Sequence, residues 1–404
     1  MVHRGLESFK NKHVVLLQGP VGPFFKHLSF DLQQIGATVH KINFNGGDWF
    51  FSSSNATNFT GTFEDWSDFF IGFIERHQID TILLFGDCRA YHRVAHAIAD
   101  KKGLDIGVFE EGYVRPDYIT FEEFGVNGHS KLPRDPNFYM SLTDSEFTVA
   151  ETVPVKYVFW HTAWYAFLYY FWSALLFPLF YGYQHHRSLS PWEITFWIRS
   201  VWRKQWYKLK EAGICNELTT VYSKKYYLSP LQISTDAQVT EHSQFDSIEH
   251  FIEKIIGSFA FYAPVETILV IKHHPLDRGY HDYSKLIKKV STHHNVFSRV
   301  RYIHDIHLPT LLEHARGAVM INSTVGLSAI HHNAPLKVCG SAIYDIDGLT
   351  YRGTLDDFWV DAVNFKVNYE LYIRFKKYVI SKSQINGNFY RRLKNTHLNS
   401  GIIW

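Results

Sequence analysis

Two adjacent carboxylates, Glu110 and Glu111, come directly before Gly112 and after the apolar run Ile106–Phe109. A carboxylate at the end of a buried strand can act as a general base or as a nucleophile toward a bound substrate. Because side chains alternate along an extended backbone, we expect only one of the two to face a ligand. The alternative is a solvated acidic turn.

Polar side chains also follow two further apolar runs that are typical of strands. Asp87 and Arg89 follow one of these runs, and Gln18 and Gly19 follow the other. A guanidinium can hold a substrate carboxylate with two hydrogen bonds, and Asp87 can orient it or act itself. The spacing around Gln18 and Gly19 matches neither a Walker loop nor a dinucleotide fingerprint, so neither of those uses is supported.

A basic motif, Lys272-His273-His274-Pro275, ends a strongly apolar run in the second half of the chain. An ammonium group and two imidazoles can bind a phosphate by charge and by hydrogen bonds, and the proline holds the turn open. Taken alone, the motif is also compatible with a polar loop that binds nothing.

Hydroxyl side chains follow another strand in the same half, in Asn322-Ser323-Thr324. A helical pattern comes next, so Ser323 or Thr324 is a natural N-cap, and the same geometry suits an anion. A plain helix cap is the alternative. Because both motifs leave carboxyl ends of strands in one half of the chain, we expect them to converge on one phosphate.

Signals for a metal are weaker. Asp345-Ile346-Asp347 has the D-x-D form that metal-dependent sugar transferases use, but a turn after a strand explains it equally well. Several His-His pairs and His304-x-x-His307 lack accompanying cysteines or a HExxH arrangement, so we favour loop histidines. We therefore predict no metal site. A G-x-S-x-G motif is absent from the sequence, which leaves serine hydrolase chemistry without support.

The polar residues need a scaffold that brings strand ends together. Short apolar runs alternate with helical patterns in two series, which is typical of doubly wound α/β sheets that bind ligands at the carboxyl ends of their strands. We predict an α/β fold with two Rossmann-like domains, at 1–150 and 216–360. An aromatic and basic helical insertion would occupy 151–215, and a helical tail, 361–404, would pack back on the first domain.

The insertion carries most of the aromatic excess. From Tyr157 to His186 there is no Asp, Glu, Lys or Arg, but Pro178 interrupts the run, and its many Tyr and Trp prefer a membrane interface. The following stretch, Trp192–Lys210, combines tryptophans with basic side chains, as in a helix lying in an interface. We favour a helical hairpin resting on a membrane. A buried helical pair and a true span are the alternatives.

Composition limits the possible classes of protein. The 404 residues are 46% hydrophobic and 20% charged, which excludes a disordered chain. Lys plus Arg number 41 and Asp plus Glu 39, and this balance argues against a nucleic-acid binder. Three widely spaced cysteines suggest neither a disulfide framework nor a thiolate metal site, and they fit a reducing compartment. The first residues lack the apolar core of a signal peptide, so export is not expected.

Taken in order along most of the chain, the motifs resemble those of the capsule polysaccharide synthesis family of bacterial Kdo transferases, in its short, single-module form. The Glu-Glu-Gly and His-Pro elements are also similar to motifs of bacterial sialyltransferases. The segments that carry the resemblance are Leu16–Pro20, Phe85–Arg89, Phe109–Pro116, Pro230–Gln232, Lys272–Gly279 and Ile321–Gly326.

The resemblance implies a GT-B-type glycosyltransferase that uses CMP-β-Kdo as donor, with no metal or other cofactor. The second domain would bind the nucleotide sugar, and the first would hold the acceptor and the catalytic groups. The acceptor would be lysophosphatidylglycerol or a related lipid at the cytoplasmic face of the inner membrane, where the chain would be peripheral. The product would begin the poly-Kdo anchor of a capsule, within a synthesis and export complex that includes a second Kdo transferase.

The resemblance also implies residue roles. A β-donor and a β-product mean retention, which commonly uses a carboxylate nucleophile. Glu110 is favoured over Glu111 because the first acid of the sialyltransferase motif is the catalytic one, although those enzymes invert. The full set of implied roles is catalysis for Glu110, Glu111 and Asp87; donor binding for Lys272, His273, His274, Pro275, Asn322, Ser323 and Thr324; and substrate binding for Gln18, Gly19, Arg89 and Arg115.

Two other functions stay open at this point. One is a different GT-B nucleotide-sugar enzyme, which leaves the aromatic segment unexplained. The other is a non-catalytic, membrane-docked factor for capsule assembly or export. The transferase interpretation requires the acid of one domain and the imidazole of the other to face a common cleft.

Overall fold

A computed structural model describes residues 5–147, 151–156, 158–184, 193–394 and 396–404. Its contacts divide the chain into two compact units. The first unit comprises Met1–Leu132, Asp144–Ser190 and Lys377–Trp404, and the second comprises Pro133–Thr143 and Pro191–Lys376.

Short strands recur along both units. Those in the described residues are β1 (His13–Leu16), β2 (Thr38–Asn43), β3 (Ala56–Asn58), β4 (Thr81–Phe85), β5 (Asp105–Glu111), β6 (Tyr118–Glu123), β7 (Tyr226–Pro230), β8 (Ile268–Lys272), β9 (Val300–Ile303), β10 (Gly317–Met320), β11 (Leu336–Val338) and β12 (Gln384–Asn386).

Helices connect the strands. Those described are α1 (Phe24–Gln34), α2 (Gly46–Phe50), α3 (Trp66–His77), α4 (Ala90–Lys102), α5 (Pro136–Ser141), α6 (Phe159–Leu175), α7 (Glu193–Lys210), α8 (Ala212–Thr219), α9 (Ala237–Glu241), α10 (Ile248–Tyr262), α11 (Ser284–His293), α12 (Leu308–His314), α13 (Val325–His331), α14 (Leu355–Asp361) and α15 (Tyr369–Ser383).

The first unit is built on a seven-stranded sheet with the order β12-β6-β5-β4-β1-β2-β3. The strands from β5 to β3 run parallel, whereas β6 and β12 are antiparallel to their neighbours. The chain moves outward from β1 in one direction and then, through β4, in the other. The carboxyl ends of β1 and β4 therefore flank the topological switch point, where sheets of this kind form a ligand crevice.

The second unit has a five-stranded parallel sheet with the order β11-β10-β7-β8-β9. Its switch point lies between β7 and β10, because the chain runs from β7 to β9 on one side and from β10 to β11 on the other. The predicted α/β class with two Rossmann-like units is confirmed.

Both faces of the first sheet are covered by apolar clusters. Along β1, Val15 packs into one cluster with Phe70 and Ile82, while Val14 and Leu16 pack into another on the opposite face. The alternation of side chains along a strand produces this division. A parallel strand that is covered on both faces must be apolar throughout, which is why β1 and β4 are continuous hydrophobic runs.

Three parts of the chain differ from the sequence-based expectation. Glu110 and Glu111 lie inside β5, not in a turn, because β6 pairs with both of them. The aromatic segment does not form a body of its own, since α6 belongs to the first unit and α7 to the second. The predicted tail contains α15 and then continues as β12 and irregular backbone, with 377–404 in the first unit.

A buried carboxylate on α1 binds the last residues of the chain within the first unit. Asp31 on α1 accepts hydrogen bonds from the backbone N–H groups of Asn399 (2.6 Å) and Ser400 (2.8 Å) and from the Asn399 side chain (2.9 Å). Trp404 lies edge-on to Phe109 and Phe121 in the adjacent core. Asp31 therefore satisfies backbone donors that would otherwise be buried without partners.

We expect Asp31→Ala to lower the free energy of unfolding by about 2–4 kcal/mol, because it leaves buried donors unpaired. Urea denaturation followed by circular dichroism measures the change. Asp68→Ala, at an exposed aspartate on α3, is the matched control and should change stability by less than about 0.5 kcal/mol. Equal stability of the two variants would contradict the anchoring role of Asp31.

Candidate active site

Glu110 and Glu111 have different neighbours because β5 is paired with β6 along both residues. Glu110 lies opposite Thr120 and Glu111 opposite Ile119. Glu111 accepts a hydrogen bond from the hydroxyl of Tyr390 at 3.2 Å. The expected alternation of the two acids is therefore present, and each carboxylate has its own set of neighbours.

Glu110 has the properties of a group that exchanges protons near neutral pH. Burial raises the pKa of Glu110 to about 7; the charge of Glu111 adds to the increase, whereas the Glu111 backbone N–H and the charges of Arg89 and Arg115 oppose it. Its Oε1 accepts the backbone N–H of Glu111 at 2.9 Å. A pKa near the operating pH is what general acid–base catalysis requires.

Gly86 lies between the side chains of Glu110 and Arg89. Its φ of +70° is readily adopted by glycine, and a Cβ added there would lie 3.4 Å from Oε2 of Glu110 and 3.9 Å from Nε of Arg89. His92 supports this turn, because its Nδ1 donates a hydrogen bond to the Gly86 carbonyl oxygen at 2.7 Å. Burial lowers the pKa of His92 to about 3, so it is neutral.

Arg89 is held in place by the loop that follows β1. Its Nη1 donates to Oε1 of Gln18 at 2.7 Å and to the Gly19 carbonyl at 3.5 Å, and its guanidinium lies 5.1 Å from the Phe85 ring centroid. The loops after β1 and β4 and the carboxyl end of β5 therefore bring Gln18, Gly19, Arg89 and Glu110 together at one edge of the sheet.

A buried polar network continues from Gln18 and was missed by sequence reasoning. Nε2 of Gln18 lies 3.1 Å from Asp48 Oδ2 and from the Tyr169 hydroxyl, and 3.0 Å from the Tyr183 hydroxyl. Tyr169 also donates to Asp48 Oδ1 at 3.0 Å. Two tyrosines of the aromatic segment thus position Gln18. Their hydroxyl groups, within a run that has no charged residue, were the sequence feature that could have indicated this buried network.

The remaining predicted residues of the first unit have structural partners. Asp87 is buried and accepts from His129 Nδ1 at 3.0 Å and from the Val126 N–H at 3.2 Å, so it holds the loop after β6. Arg115 donates through Nε to the Gly112 carbonyl at 3.0 Å and acts on Glu110 by its charge.

In the second unit, the Lys272–Pro275 motif divides between the interior and the surface. Lys272 is buried, and its Nζ donates to the His304 carbonyl at 2.9 Å. His273 is buried and shares a hydrogen bond with the Tyr302 hydroxyl at 2.6 Å, and burial lowers the pKa of His273 to about 3. His274 is half-buried and Pro275 exposed, so this part of the loop can reach a ligand.

The side chain of Asn322 makes hydrogen bonds within the second unit. Its side-chain oxygen accepts from Gln232 Nε2, and its Nδ2 donates to the Gln238 carbonyl, both at 2.9 Å. Ser323 and Thr324 are half-exposed at the start of α13, where Ser323 Oγ accepts the Val325 N–H at 3.3 Å. Thr324 makes no side-chain cap.

The loop after β7 joins the two motifs of the second unit. Gln232 binds Asn322, and Ser234 donates from its backbone N–H and its hydroxyl to Asp277, at 3.1 and 3.0 Å. The Leu231 N–H donates to the Lys272 carbonyl at 2.9 Å. Both motifs are thus bonded to the loop that follows β7, and their predicted convergence on one phosphate stays a prediction.

A pocket of about 590 Å³ in the second unit was also missed, because its walls come from parts of the sequence that lie far apart. It contains the cations Arg134, Lys254 and Lys337, together with Asp345 of the D-x-D pattern. Asp345 accepts from Thr350 Oγ1 at 2.7 Å and pairs with Arg352, so its carboxylate has internal partners within the turn.

Comparison with known proteins places the chain among capsule proteins. The profile of the family described as "Capsule polysaccharide biosynthesis protein" matches residues 80–390. The "Capsule polysaccharide export protein KpsS" of Escherichia coli is 40% identical over 94% of this chain and 97% of its own. The "Capsule polysaccharide modification protein LipB" of Neisseria meningitidis serogroup A is 38% identical over 97% and 95%. These matches confirm the family resemblance read from the motifs.

Among solved structures, the β-Kdo 2,7 transferase KpsC of Thermosulfurimonas dismutans aligns with 90% of this chain and 89% of its own, at 11% identity and a TM-score of 0.38.

We expect the Glu110 carboxyl to titrate near pH 7 in the folded protein, and Arg89→Gln to raise that pKa because a nearby positive charge is lost. Carbon-13 NMR of labelled glutamate measures both values, with Glu110→Gln to assign the signal. Arg76→Gln, an exposed site on α3 with the same charge change, is the control.

The same shift has a consequence for stability. Because the folded-state pKa of Glu110 lies above its unfolded value, its favourable contribution is present below about pH 4.5 and is lost as the pH rises through about 7. Glu110→Gln should therefore flatten the fall in unfolding free energy across that range. A normal pKa near 4.5, or an unchanged pH profile in the variant, would contradict the desolvated site.

Proposed function

The chain belongs to the capsule polysaccharide biosynthesis family, and we propose that it is a glycosyltransferase that starts the lipid anchor of a capsule. The donor is CMP-β-Kdo, the acceptor is lysophosphatidylglycerol or a related lipid, and the product carries one β-linked Kdo. A second Kdo transferase of a capsule synthesis and export complex then extends it.

The observation that carries this proposal is the environment of Glu110, a half-buried carboxyl with a pKa of about 7 at the carboxyl edge of the first sheet. In its ionised form it can accept the proton of an acceptor hydroxyl or attack the anomeric carbon of the donor. Arg89 and Arg115 bring positive charge to the same place. A 2-keto sugar acid carries a carboxylate, which a guanidinium can hold in a fixed orientation.

The donor phosphate is assigned to the loops of the second unit. His274 and the hydroxyl groups of Ser323 and Thr324 are half-exposed. Lys272 is buried at the start of the His274 loop, where it donates to the His304 carbonyl. Fixed donors of this kind can stabilise the charge that develops on a leaving nucleoside monophosphate. The proposed reaction therefore uses protein groups where other sugar transferases use a divalent metal.

A lipid acceptor accounts for the outer face of α6. Its side chains Trp160, Trp164, Phe171 and Leu175 are between 50% and 73% exposed, which is costly unless the face is covered. None of the described helices is long and apolar enough to cross a bilayer. We propose that this aromatic face lies in the interface at the cytoplasmic side of the inner membrane. Trp192, which belonged to the same prediction, lies outside the described residues.

A non-catalytic role in export is the second candidate, because the Escherichia coli relative is described as an export protein. Glu110 favours the enzyme, since an assembly factor has no use for a carboxyl held near its titration point.

We expect Glu110→Gln to slow the formation of Kdo-lipid by at least about 100-fold, because the catalytic carboxylate is lost. The wild-type rate should rise as the pH passes through about 7, since the ionised form is required. The assay incubates the protein with CMP-Kdo generated in place and a fluorescent lysophosphatidylglycerol, then measures CMP release and the mass of the lipid.

Glu123→Gln, at a half-buried acid at the far end of β6, is the matched control and should keep the wild-type rate within about threefold. Capsule production that survives Glu110→Gln combined with Glu111→Gln, and also His274→Ala, would favour the non-catalytic role. Absence of both CMP release and lipid mass gain with folded wild-type protein would refute the transferase.

We expect Trp160→Ser combined with Trp164→Ser to weaken binding to phosphatidylglycerol vesicles by about tenfold or more, because two exposed indoles leave the interface. Co-sedimentation measures the bound fraction, and CMP binding measured without vesicles should stay unchanged. Phe261→Ser, at an exposed aromatic on α10, is the control. Undiminished sedimentation of the tryptophan variant would refute the membrane role of α6.

A further inference from the structure

The inner face of α7 is built against the loop that carries the His-Pro motif. Phe196, Arg203 and Tyr207 are spaced by seven and four residues, so they lie on one side of the helix. The Phe196 ring stacks on Tyr280 with 5.0 Å between centroids. A Cβ added to Gly279 would lie 2.3 Å from the Phe196 carbonyl oxygen, so the backbone of α7 touches the loop directly.

Two arginines of α7 hold the same loop by its carbonyl groups. Arg203 donates to the Arg278 carbonyl at 2.8 Å, and its other terminal nitrogen lies 3.8 Å from the Asp282 carboxylate. Arg199 donates to the Tyr280 carbonyl at 3.2 Å. Charge-assisted bonds from one helix thus fix the conformation of residues 278–282.

A second anchor joins the end of α7 to the floor of the motif. Tyr207 stacks on His304 with 3.5 Å between ring centroids. Glu211, just after the helix, accepts from the His304 N–H at 2.9 Å, from His304 Nδ1 at 2.8 Å and from the Asp305 N–H at 3.0 Å. The His304 carbonyl in turn accepts from Lys272. Contacts therefore run without a gap from α7 to Lys272.

The outer face of α7 has a different composition. Trp202 and Trp206 are 63% and 52% exposed and stack with 6.0 Å between ring centroids, and Leu209 is 78% exposed. Lys204 and Lys208 are exposed on the same helix. Aromatic and aliphatic side chains beside lysines suit the headgroup region of an anionic bilayer.

We propose that α7 couples binding of an anionic lipid surface to binding of the nucleotide donor. A bilayer that contacts the outer face restrains α7, and α7 then holds the loop from Lys272 to Asp282 in its ligand-binding arrangement. The inference rests on the proposed function, because it takes CMP as the ligand of that loop. By linkage, CMP must strengthen lipid binding by the same factor as lipid strengthens CMP binding.

The test measures CMP affinity of the full chain by isothermal titration calorimetry, with and without saturating vesicles of phosphatidylcholine and phosphatidylglycerol. We expect CMP to bind at least about fivefold more tightly with these vesicles. Vesicles of phosphatidylcholine alone should have no effect. The reciprocal measurement, vesicle affinity with and without CMP, should give the same factor.

Two adjacent residues provide matched variants with the same charge change. Arg203→Met breaks the inner contacts and leaves the outer face intact, so it should keep vesicle binding and lose the gain in CMP affinity. Lys204→Met weakens vesicle binding but should keep the gain once vesicles are saturating. Gly279→Ala, which displaces α7 from the loop, should reproduce the effect of Arg203→Met, and thermal melts identify any variant that fails to fold.

The outcomes separate this inference from the function on which it rests. Equal CMP affinity with and without vesicles, in a protein that binds both, overturns the coupling and leaves the transferase intact. A gain that survives in both Arg203→Met and Gly279→Ala also overturns it. Absence of CMP binding under every condition overturns the proposed donor, and the coupling with it.

Discussion

The cost of burying a carboxylate governs the first unit. Glu110 follows the apolar stretch Ile106–Phe109 of β5, and water cannot fully solvate its charge there. Its pKa is raised by burial, and the Glu111 backbone N–H and then the charges of Arg89 and Arg115 limit the rise. Arg89 can perform this role only if it is held in place, and Gln18 holds it. Gln18 depends in turn on Asp48 and on two tyrosines of the aromatic segment. A single electrostatic requirement thus links β5 to α6.

Much of this fold is predictable from the sequence because parallel strands covered on both faces are continuous apolar runs. The runs at β1, β4 and β8 are of that kind, and their positions and the polar residues after them were predicted correctly. β6 was missed because Tyr118–Glu123 mixes apolar and acidic residues and pairs antiparallel at the edge of the parallel strands. The same pairing extends β5 through Glu110 and Glu111. The sequence of β5 alone therefore could not show that both acids belong to the strand.

The sequence predicted which loops form the candidate site, but not which of their side chains are exposed to a ligand. The motif residues divide between those that reach the surface and those that build the loop, and the residue type does not distinguish them. Asn322 uses both its oxygen and its nitrogen internally, and His273 is neutral and buried against Tyr302. A polar motif therefore specifies the loop as a whole: buried members supply rigidity, which lets the half-exposed His274, Ser323 and Thr324 hold a fixed position.

The two aromatic helices follow one physical rule, although they belong to different units. Each buries polar or aromatic groups on the face toward its own unit and exposes large aromatics on the other. On α6 the inward residues are Tyr169 and Ser173, and Ser173 accepts the Gly47 N–H at 3.1 Å. A run with so little charge lacks the usual polar-face signal for amphipathic structure, so hydroxyl groups carry the pattern instead. A contiguous apolar face exposed to water is typical of a surface that contacts a partner or a membrane. Because the inward faces of both helices are bonded to polar loops, a contact made by either outer face acts on a helix that also holds such a loop.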